Sequence, residues 1–339
     1  MMKHTTLGID LAKNVFAVVT LGLNGKEKWR KTVRRHQLMK LLAQQEPCTV
    51  AMEACGSAHY WGRRIRELGH EAVLLPPQHV KGYQRGQKND YNDARAIAEA
   101  CQHGAIRPVA IKSVEQQDDQ AFHGIRRGLD RERTRLSNQL RGLLAEYGVV
   151  MPVALSAFRR AIPAILEAAD NGLTARFRQL LNRQYQRFLE LEEELAWYDR
   201  QLKVQAKEDD VCRRLDEIPG VGPVVASALK SWLGDGKQFR RGREASAALG
   251  LVPRQYSSGG KDHLYGITKR GDGYIRSLVV HGARAVVAQA DRKTDALSRW
   301  IIRLKTLRGF NKATVALANK LVRIAWVVVA RGERYRVAV

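Results

Sequence analysis

Two aspartates stand three residues apart in the stretch QKNDYNDARAIAEAC, residues 87–101. Its apolar spacing predicts a helix, and residues i and i+3 of a helix lie on one face with Cβ atoms about 5–6 Å apart. Asp90 and Asp93 would therefore repel each other unless a cation lay between them. Acidic residues in a first turn also favour the helix dipole, so this pair alone does not establish a metal site.

Two further carboxylates end predicted strands. Asp10 closes the apolar run TTLGID, and Glu53 closes CTVAME. A single strand-ending acid is more often a turn residue, but neighbouring strand ends would bring both acids to one sheet edge, where the helix with Asp90 and Asp93 docks. Four carboxylates suit Mg²⁺ or Mn²⁺, and two such ions about 3.5–4 Å apart serve phosphodiester chemistry. We therefore predict that these four acids are catalytic and bind metal.

The elements that must position these acids follow the order βββαβαβα. Three strands, in TTLGID, at 15–21 and at 28–33, precede a helix at 37–45 and a strand at 48–53. A helix at 59–68, the strand EAVLLPP and the helix with the paired aspartates complete the pattern. This order is that of an RNase H-like α/β domain with strands 1 and 4 adjacent, which we place at residues 1–112.

Residues 113–212 are predicted to form a helical coiled-coil region. Apolar positions alternate spacings of four and three residues over roughly four heptads, which is typical of a coiled-coil seam. The seam packs either against a second copy of the chain or along the protein's own helix at 115–147. It consists of Phe177, Leu181, Gln184, Phe188, Leu191, Leu195, Tyr198 and Leu202.

Charge is the strongest global signal. The 339 residues contain 58 Lys and Arg against 34 Asp and Glu, a net charge of +24 with a pI near 10.2. Residues 213–339 alone contain 25 basic and 9 acidic residues. We expect nucleic acid as the polyanionic partner, bound mainly by this third, mostly helical domain.

The remaining composition predicts a cytoplasmic protein. Four cysteines without metal-ligand or framework spacing indicate reduced, mostly buried thiols. We expect no signal peptide and no membrane contact. The apolar run at 313–330 is interrupted by Asn319, Lys320 and Arg323, so we interpret it as a core helix.

The segment LDEIPGVGPVVASAL, residues 215–229, predicts a helix ending at Pro219, a tight turn and a second helix from Pro223. Pro-Gly-x-Gly between two helices is typical of a helix-hairpin-helix, in which Gly220 and Gly222 let backbone N–H groups approach a DNA phosphate. The alternative is an ordinary turn between helices. The surrounding positive charge favours the phosphate contact.

A loop in ALGLVPRQYSSGGKDHLYGITKRGDGYIR, residues 248–276, offers a nucleophile. Ser257 and Ser258 precede two glycines, and a serine can attack a phosphodiester if a base activates it and cations stabilise the transition state. Ser-Ser-Gly-Gly is also a common polar turn, so composition alone favours that alternative. The candidate nucleic-acid contacts are Arg254, Lys261, Lys269 and Arg270, and the acid–base candidates are Tyr256, His263 and Tyr265.

Five segments, in order along nearly the whole chain, resemble the DEDD-type insertion-sequence transposases. They are GIDLAKNVFAVV, AMEACGSAHYWGRRI, LLPPQHVKGYQRGQKNDYNDARAIAEA, IPGVGPVVASAL and GLVPRQYSSGGKDHLYGITKRGDGYIR. The resemblance is narrowest to the branch that carries the MEACGSAHYW and QKNDYNDA signatures. It implies an N-terminal domain similar to the RuvC Holliday-junction resolvase, with an Asp-Glu-Asp-Asp tetrad at Asp10, Glu53, Asp90 and Asp93.

The same resemblance implies a C-terminal transposase domain with a serine nucleophile. The matching residue is Ser258, next to Gly259, with Ser257 as the alternative. It further implies a structured noncoding guide RNA that pairs with donor and target DNA, a homo-oligomer (dimer or tetramer), and active sites assembled between subunits. Ser258 would form a phosphoserine link with DNA, Mg²⁺ at the tetrad would stabilise charge, and strands would exchange through a Holliday-junction-like intermediate.

Two other interpretations remain open. A metal-dependent nuclease or junction resolvase would keep the tetrad, cut by water attack and need no serine. A nucleic-acid-binding protein that derives from a transposase would bind without catalysis, although the intact tetrad argues against it. Replacing Ser258 separates the first alternative from the recombinase, and the capacity of the flanking DNA to encode a folded RNA separates the second.

Overall fold

The structure, a computed structural model, describes residues 5–87 and 89–336. The chain divides into two units, Met1–Glu115 and Gln116–Val339. The first unit ends three residues beyond the domain expected at 1–112. Residues 113–212 and 213–339, which were expected as separate regions, lie almost entirely in the second unit.

The first unit is built on a five-stranded sheet. Its elements are β1 (Thr6–Asp10), β2 (Val15–Leu21), β3 (Glu27–Arg34), α1 (Leu38–Ala43), β4 (Thr49–Glu53), α2 (Ala58–Glu67), β5 (Glu71–Leu75), α3 (Pro77–Val80) and α4 (Asp90–His103). The order across the sheet is β3-β2-β1-β4-β5, with antiparallel pairs from β1 to β3 and parallel pairs from β1 to β5. The predicted element order and the adjacency of strands 1 and 4 are confirmed, with α3 as a short addition.

Helices cover both faces of this sheet and bury its central strands. Ile9 of β1 packs in a cluster with Trp61 of α2 on one face. Val19 of β2 packs with Ala94 of α4 on the other. Because strands buried on both faces have no polar side, β1 and β4 are almost continuously apolar until their last residues, which are acidic.

The second unit is mostly helical. Its elements within the described residues are α5 (Val114–Ala145), α6 (Leu155–Glu167), α7 (Ala175–Glu208), α8 (Asp210–Asp216), α9 (Pro223–Leu233), α10 (Gly242–Ala248), β6 (Pro253–Ser258), β7 (Lys261–Ile267), α11 (Gly273–Gln289), α12 (Ala296–Arg308) and α13 (Phe310–Arg331). One core joins α8 to α13 and includes Leu229, Val279 and Leu317.

The heptad seam of α7 is buried inside the chain. Phe177 and Phe188 of the seam pack in one cluster with Leu140 of α5 and Phe158 of α6. Of the two predicted partners, the protein's own long helix is therefore observed, and α6 completes the cluster. Along this stretch the seam side chains are already covered and are not a free surface for a second copy.

α13 is an apolar helix with one face in the core. Within the described residues, Phe310–Arg331 is the one helix whose length and composition would allow it to cross a membrane. Half of its most apolar stretch is buried inside the protein. Leu317, Leu321 and Ala325 of this helix belong to the core of the second unit. The predicted core helix is confirmed for this face, whereas Lys320 and Arg323 lie outside the core.

The cysteines act mainly as packing residues. All four are free, and Cys48, Cys101 and Cys212 are buried while Cys55 is exposed. Burial raises the pKa of Cys48 to about 11 and the pKa values of Cys101 and Cys212 to about 12. These three thiols therefore stay protonated and unreactive at neutral pH.

Candidate active site

The sheet places Asp10 and Glu53 side by side. β1 and β4 run parallel, and their last paired residues are Ile9 and Met52. Asp10 and Glu53 each follow directly, so both carboxylates lie at the carboxyl edge of adjacent strands. Both side chains are half-buried. The predicted meeting of these two acids at one sheet edge is confirmed.

The start of α4 positions the paired aspartates. The Asn89 side chain caps the helix by accepting a hydrogen bond from the backbone N–H of Asn92 at 2.8 Å, which fixes where the first turn begins. Asp93 is half-buried, and its Oδ1 accepts a hydrogen bond from Nε2 of Gln84 at 2.9 Å. Asp90, the first helical residue, is exposed. The two acids thus have different surroundings despite their helical spacing.

A glycine in β1 allows α4 to approach the acidic edge. A Cβ atom on Gly8 would lie 2.0 Å from the backbone oxygen of Ala94 and 2.8 Å from the backbone nitrogen of Ala98. A side chain at this position would therefore force α4 away from β1 and move Asp93, the residue before Ala94, with it. The sequence carries one local sign of this role, since a glycine inside an apolar strand often marks a close backbone approach.

Charge repulsion connects three of the four acids. Burial raises the pKa of Glu53, and the negative charges of Asp10 and Asp93 raise it further. A cation bound at this edge would relieve the repulsion, and carboxylate oxygens are the ligands that Mg²⁺ and Mn²⁺ prefer. Within the described residues, however, no three His, Cys, Asp or Glu side chains are close enough to form a ligand set as they stand. Of the four acids predicted to converge, Asp10, Glu53 and Asp93 are therefore electrostatically coupled, but they do not form a ready-made set of metal ligands.

The candidate nucleophiles lie on an exposed β-hairpin. Gly259 and Gly260 form its turn with left-handed φ angles of +56° and +75°, which glycine adopts without strain. The pairing across the hairpin places Ser257 opposite Asp262 and Ser258 opposite Lys261. The predicted serine loop is thus a pair of strands with a fixed register.

Because side chains alternate along a strand, the two serines face opposite sides of the hairpin. The Ser257 hydroxyl donates a hydrogen bond to Oδ1 of Asp262 at 2.7 Å and accepts one from Nε2 of Gln255 at 2.9 Å. A phosphate approaching Ser257 would meet the Asp262 charge.

Ser258 lies on the other, more basic face. Its cross-strand neighbour is Lys261, and the next pair on this face is Tyr256 with His263. Within the described part of the chain, the Ser258 hydroxyl has no hydrogen-bond partner and is exposed. The Ser258 face therefore combines a free hydroxyl, a cation and groups that can exchange protons. Tyr256 and His263 form the pair next to Ser258 on this face, whereas Tyr265 lies further along β7 on the same face.

The predicted nucleic-acid contacts around the hairpin are accessible. Arg254, Lys261, Lys269 and Arg270 are all exposed. The Arg254 guanidinium lies over the ring of Tyr265, 5.0 Å from its centroid. These side chains are available to a polyanion, as their positions in the sequence predict.

The predicted glycine turn joins α8 to α9, and its two glycines differ. A Cβ on Gly220 would lie 2.8 Å from the backbone oxygen of Gly282 in α11, and a Cβ on Gly282 would lie 1.9 Å from the Gly220 oxygen. Packing of the turn on α11 therefore explains Gly220. Gly222 caps α9 and has no atom within 4 Å of its Cβ position, so it alone leaves open space for an approaching backbone or phosphate.

Comparisons with known proteins agree along the chain. The profile described as "Transposase IS116/IS110/IS902 family" matches residues 212–299, and the DEDD_Tnp_IS110 profile, described as "Transposase", matches residues 7–149. The chain is 44% identical over 330 residues to the transposase for insertion sequence element IS1111A of Coxiella burnetii, covering 97% of this chain and 91% of the relative. It is 44% identical to a probable family 20 transposase of Pseudomonas aeruginosa, covering 99% of both. The transposase for insertion sequence element IS1328 of Yersinia enterocolitica is 39% identical, covering 97% of both.

Similarity to transposases over nearly the full length identifies the enzyme class, a transposase, whose substrate is DNA. The chain belongs to the IS116/IS110/IS902 family of insertion-sequence transposases. Its DEDD domain suggests a nuclease-like active site that uses a divalent metal.

Proposed function

We propose that this transposase moves its insertion sequence as an RNA-guided serine recombinase, in the cytoplasm of a prokaryote at the nucleoid. The observation that carries the proposal is the exposed Ser258 hydroxyl opposite Lys261 on the basic face of the hairpin. The strand order of the first unit and the acids at its carboxyl edge support an RNase H-like, RuvC-like domain. In this proposal the hairpin carries the serine step, and the acidic edge holds the metal.

The serine step exchanges one phosphoester bond for another. The Ser258 oxygen bonds to a DNA phosphorus, and the bond from that phosphorus to one deoxyribose oxygen breaks. The serine proton passes to a base on the same face, for which His263 or Tyr256 is positioned, and the leaving oxygen takes up a proton as a free hydroxyl end. Lys261 stabilises the negative charge that grows on the phosphate.

The acids of the first unit would hold the divalent metal. Asp10, Glu53 and Asp93 supply coupled carboxylates at one edge, and Asp90 completes the tetrad from the exposed first turn of α4. When bound, Mg²⁺ or Mn²⁺ supplies positive charge that stabilises a phosphate and its leaving oxygen. Gln84 orients Asp93, and Gly8 sets the distance between α4 and the sheet.

A structured RNA would select donor and target DNA by base pairing, while the protein binds backbones. The excess of 25 basic over 9 acidic residues in 213–339 supports the grip on nucleic acid. The turn at Gly222 supports a helix-hairpin-helix contact with a phosphate, because no atom lies within 4 Å of the Gly222 Cβ position at the N-terminus of α9.

The recombinase would work as a homo-oligomer, a dimer or tetramer, with active sites shared between subunits. The seam of α7 is covered within the chain, so subunits would meet elsewhere. Val150 and Val153, between α5 and α6, are 90% and 89% exposed and offer apolar side chains for such a contact.

A covalent-adduct assay tests the proposal. The protein would be expressed with its native flanking DNA and a candidate target, and DNA that stays attached through denaturation would be measured. Ser258→Ala should lose the adduct, whereas Ser257→Ala, the matched neighbour on the opposite face, should keep it. Loss only in Ser257→Ala would move the nucleophile to the Asp262 face. Cleavage without an adduct in any variant would instead establish a nuclease that uses water at the acidic edge.

A further inference from the structure

α13 carries a basic stripe that its packing in the core does not explain. Lys312, Lys320 and Arg323 are spaced so that they share one side of the helix, away from the buried Leu317 and Leu321. Two of these cations interrupt the apolar run noted in the sequence. They therefore point to a second surface on the same helix.

This surface forms one side of a large groove in the second unit. The groove, here called the basic groove, is bounded by α10, β7, α12, α13 and the residues after α13, and its volume is about 1700 Å³. Small-molecule pockets occupy about 300–1,000 Å³. The basic groove therefore has the size for a stretch of polymer.

Its charge selects a polyanion. The lining contains eight Lys and Arg side chains and one carboxylate, Glu333. Two of the eight have acidic partners, Arg241 with Glu244 and Arg334 with Glu217, both at 3.8 Å. The other six make no ion pair within the described residues. Positive charge without internal neutralisation matches a phosphate backbone.

The groove also contains an aromatic ring and an apolar floor, which binding of a duplex backbone does not require. Trp300 lines it, and Nζ of Lys320 lies 4.6 Å from the centroid of its indole ring. The floor between the cations is apolar, formed by residues such as Val315, Ile324 and Val327. An aromatic side chain beside cations stacks on unpaired bases, whose faces a duplex keeps inside its own base stack, and an apolar floor can contact such exposed base faces.

We propose that the basic groove binds an unpaired segment of nucleic acid, with Trp300 stacking on a base and the α13 cations contacting phosphates. The groove is continuous with β7, whose Tyr265 lines it and whose first residue, Lys261, faces Ser258. A displaced strand held here would lie next to the serine hairpin. The proposal rests on the DNA substrate of the family and not on the phosphoserine step.

The test measures binding by full-length protein to labelled oligonucleotides of about 12 nucleotides. Single-stranded DNA, single-stranded RNA of the same sequence and duplex DNA are titrated by fluorescence anisotropy between about 50 and 200 mM salt. The groove variant is Lys312→Ala/Lys320→Ala/Arg323→Ala. The control, Arg183→Ala/Lys203→Ala/Lys207→Ala, removes three exposed cations from α7.

The groove variant should weaken single-strand binding by roughly 30-fold and reduce the salt slope by about 2, since about 0.7 ion is released per contact. Duplex binding should fall much less, and the α7 control should change single-strand affinity little. A preference for the DNA or the RNA strand then identifies which of the two the groove holds. Equal losses in the groove and control variants, or equal losses for strand and duplex, would overturn the proposal.

Trp300 supplies a second test that does not depend on charge. Trp300→Ala should lower single-strand affinity by about 5- to 150-fold, because stacking of one base contributes about 1–3 kcal/mol, and Trp300→Phe should retain most of it. If Trp300→Ala destabilises the fold, Trp300→Phe and the groove variant decide the question. A groove variant that changes the sedimentation coefficient but not strand affinity would show that a second copy of the chain occupies the groove. An adduct assay that fails while strand binding behaves as expected would refute the serine step alone.

Discussion

Ser258 lies directly opposite Lys261 across the β6–β7 hairpin, one pair closer to the turn than Ser257 and Asp262. The hairpin thus presents one serine beside a cation and the other beside a carboxylate. For an attack on a phosphodiester, the cationic face stabilises the developing charge and the acidic face repels it.

Lys261→Ala should slow adduct formation on the order of 100-fold, because one preorganised cation at the transition state is lost. Lys261→Arg keeps the charge and should restore most of the rate. Single-turnover adduct formation with saturating DNA is the measurement. Asp262→Asn is the control on the opposite face, and a larger defect in Asp262→Asn than in Lys261→Ala would assign the chemistry to Ser257.

Asp10→Asn should abolish recombination while nucleic-acid binding survives, because the acids lie in the first unit and residues 213–339 hold +16 of the net charge of +24. Recombination of a donor–target plasmid pair and filter binding of labelled DNA measure the two properties. Glu46→Gln, an exposed carboxylate of the same unit, should leave both unchanged. Normal recombination by Asp10→Asn would remove the metal assignment.

Gly8→Ala should destabilise the first unit by about 3 kcal/mol, the upper end of the usual cost of overpacking, since its Cβ would lie 2.0 Å from the Ala94 oxygen and α4 must shift. Urea unfolding followed by circular dichroism measures the loss. Gly82→Ala, at a position with no atom within 4 Å of the added Cβ, should stay within about 0.5 kcal/mol of the wild type. Equal stability of the two variants would mean that α4 does not depend on Gly8.

His123 should make the second unit less stable in mild acid. Burial lowers its pKa to about 4 from 6.5, with a further decrease from Arg126. Its ring nitrogens contact the hydroxyls of Tyr274 and Ser227, both at 3.2 Å, and the Ser227 hydroxyl donates to Gln205. The folded state therefore holds a neutral imidazole.

The sign of the pH effect follows from this lowered pKa. Between about pH 6.5 and 4 the unfolded chain binds the proton and the folded chain does not, so stability falls as pH falls through this window. The loss between pH 7 and pH 5 is about 2 kcal/mol. Urea midpoints at the two pH values measure it, and His123→Gln should show a smaller difference. An unchanged pH dependence in that variant would place the acid sensitivity on other groups.

The sequence by itself determined the elements of the first unit and the order of its acids. Apolar runs, turn residues and helix caps act through neighbouring residues, so β1, β4 and α4 were predicted close to their observed bounds. The same local reasoning placed Asp10 and Glu53 at strand ends. It also located the serine pair, the basic region and the motifs shared with the transposases.

Only the tertiary structure decided which groups meet across the chain. Ser257 and Ser258 face opposite sides of the hairpin and have different cross-strand partners. These partners depend on the strand register, which the turn at Gly259 and Gly260 fixes and which composition does not encode. The α7 seam could have packed on the protein's own helix α5 or on a second copy of the chain, because both would offer it an apolar surface; the structure shows α5 and α6 in contact with it. Gly8 beneath α4 and Trp300 beside Lys320 became visible only in three dimensions. Such contacts join residues far apart in sequence, and their energies depend on packing and burial that no local pattern specifies.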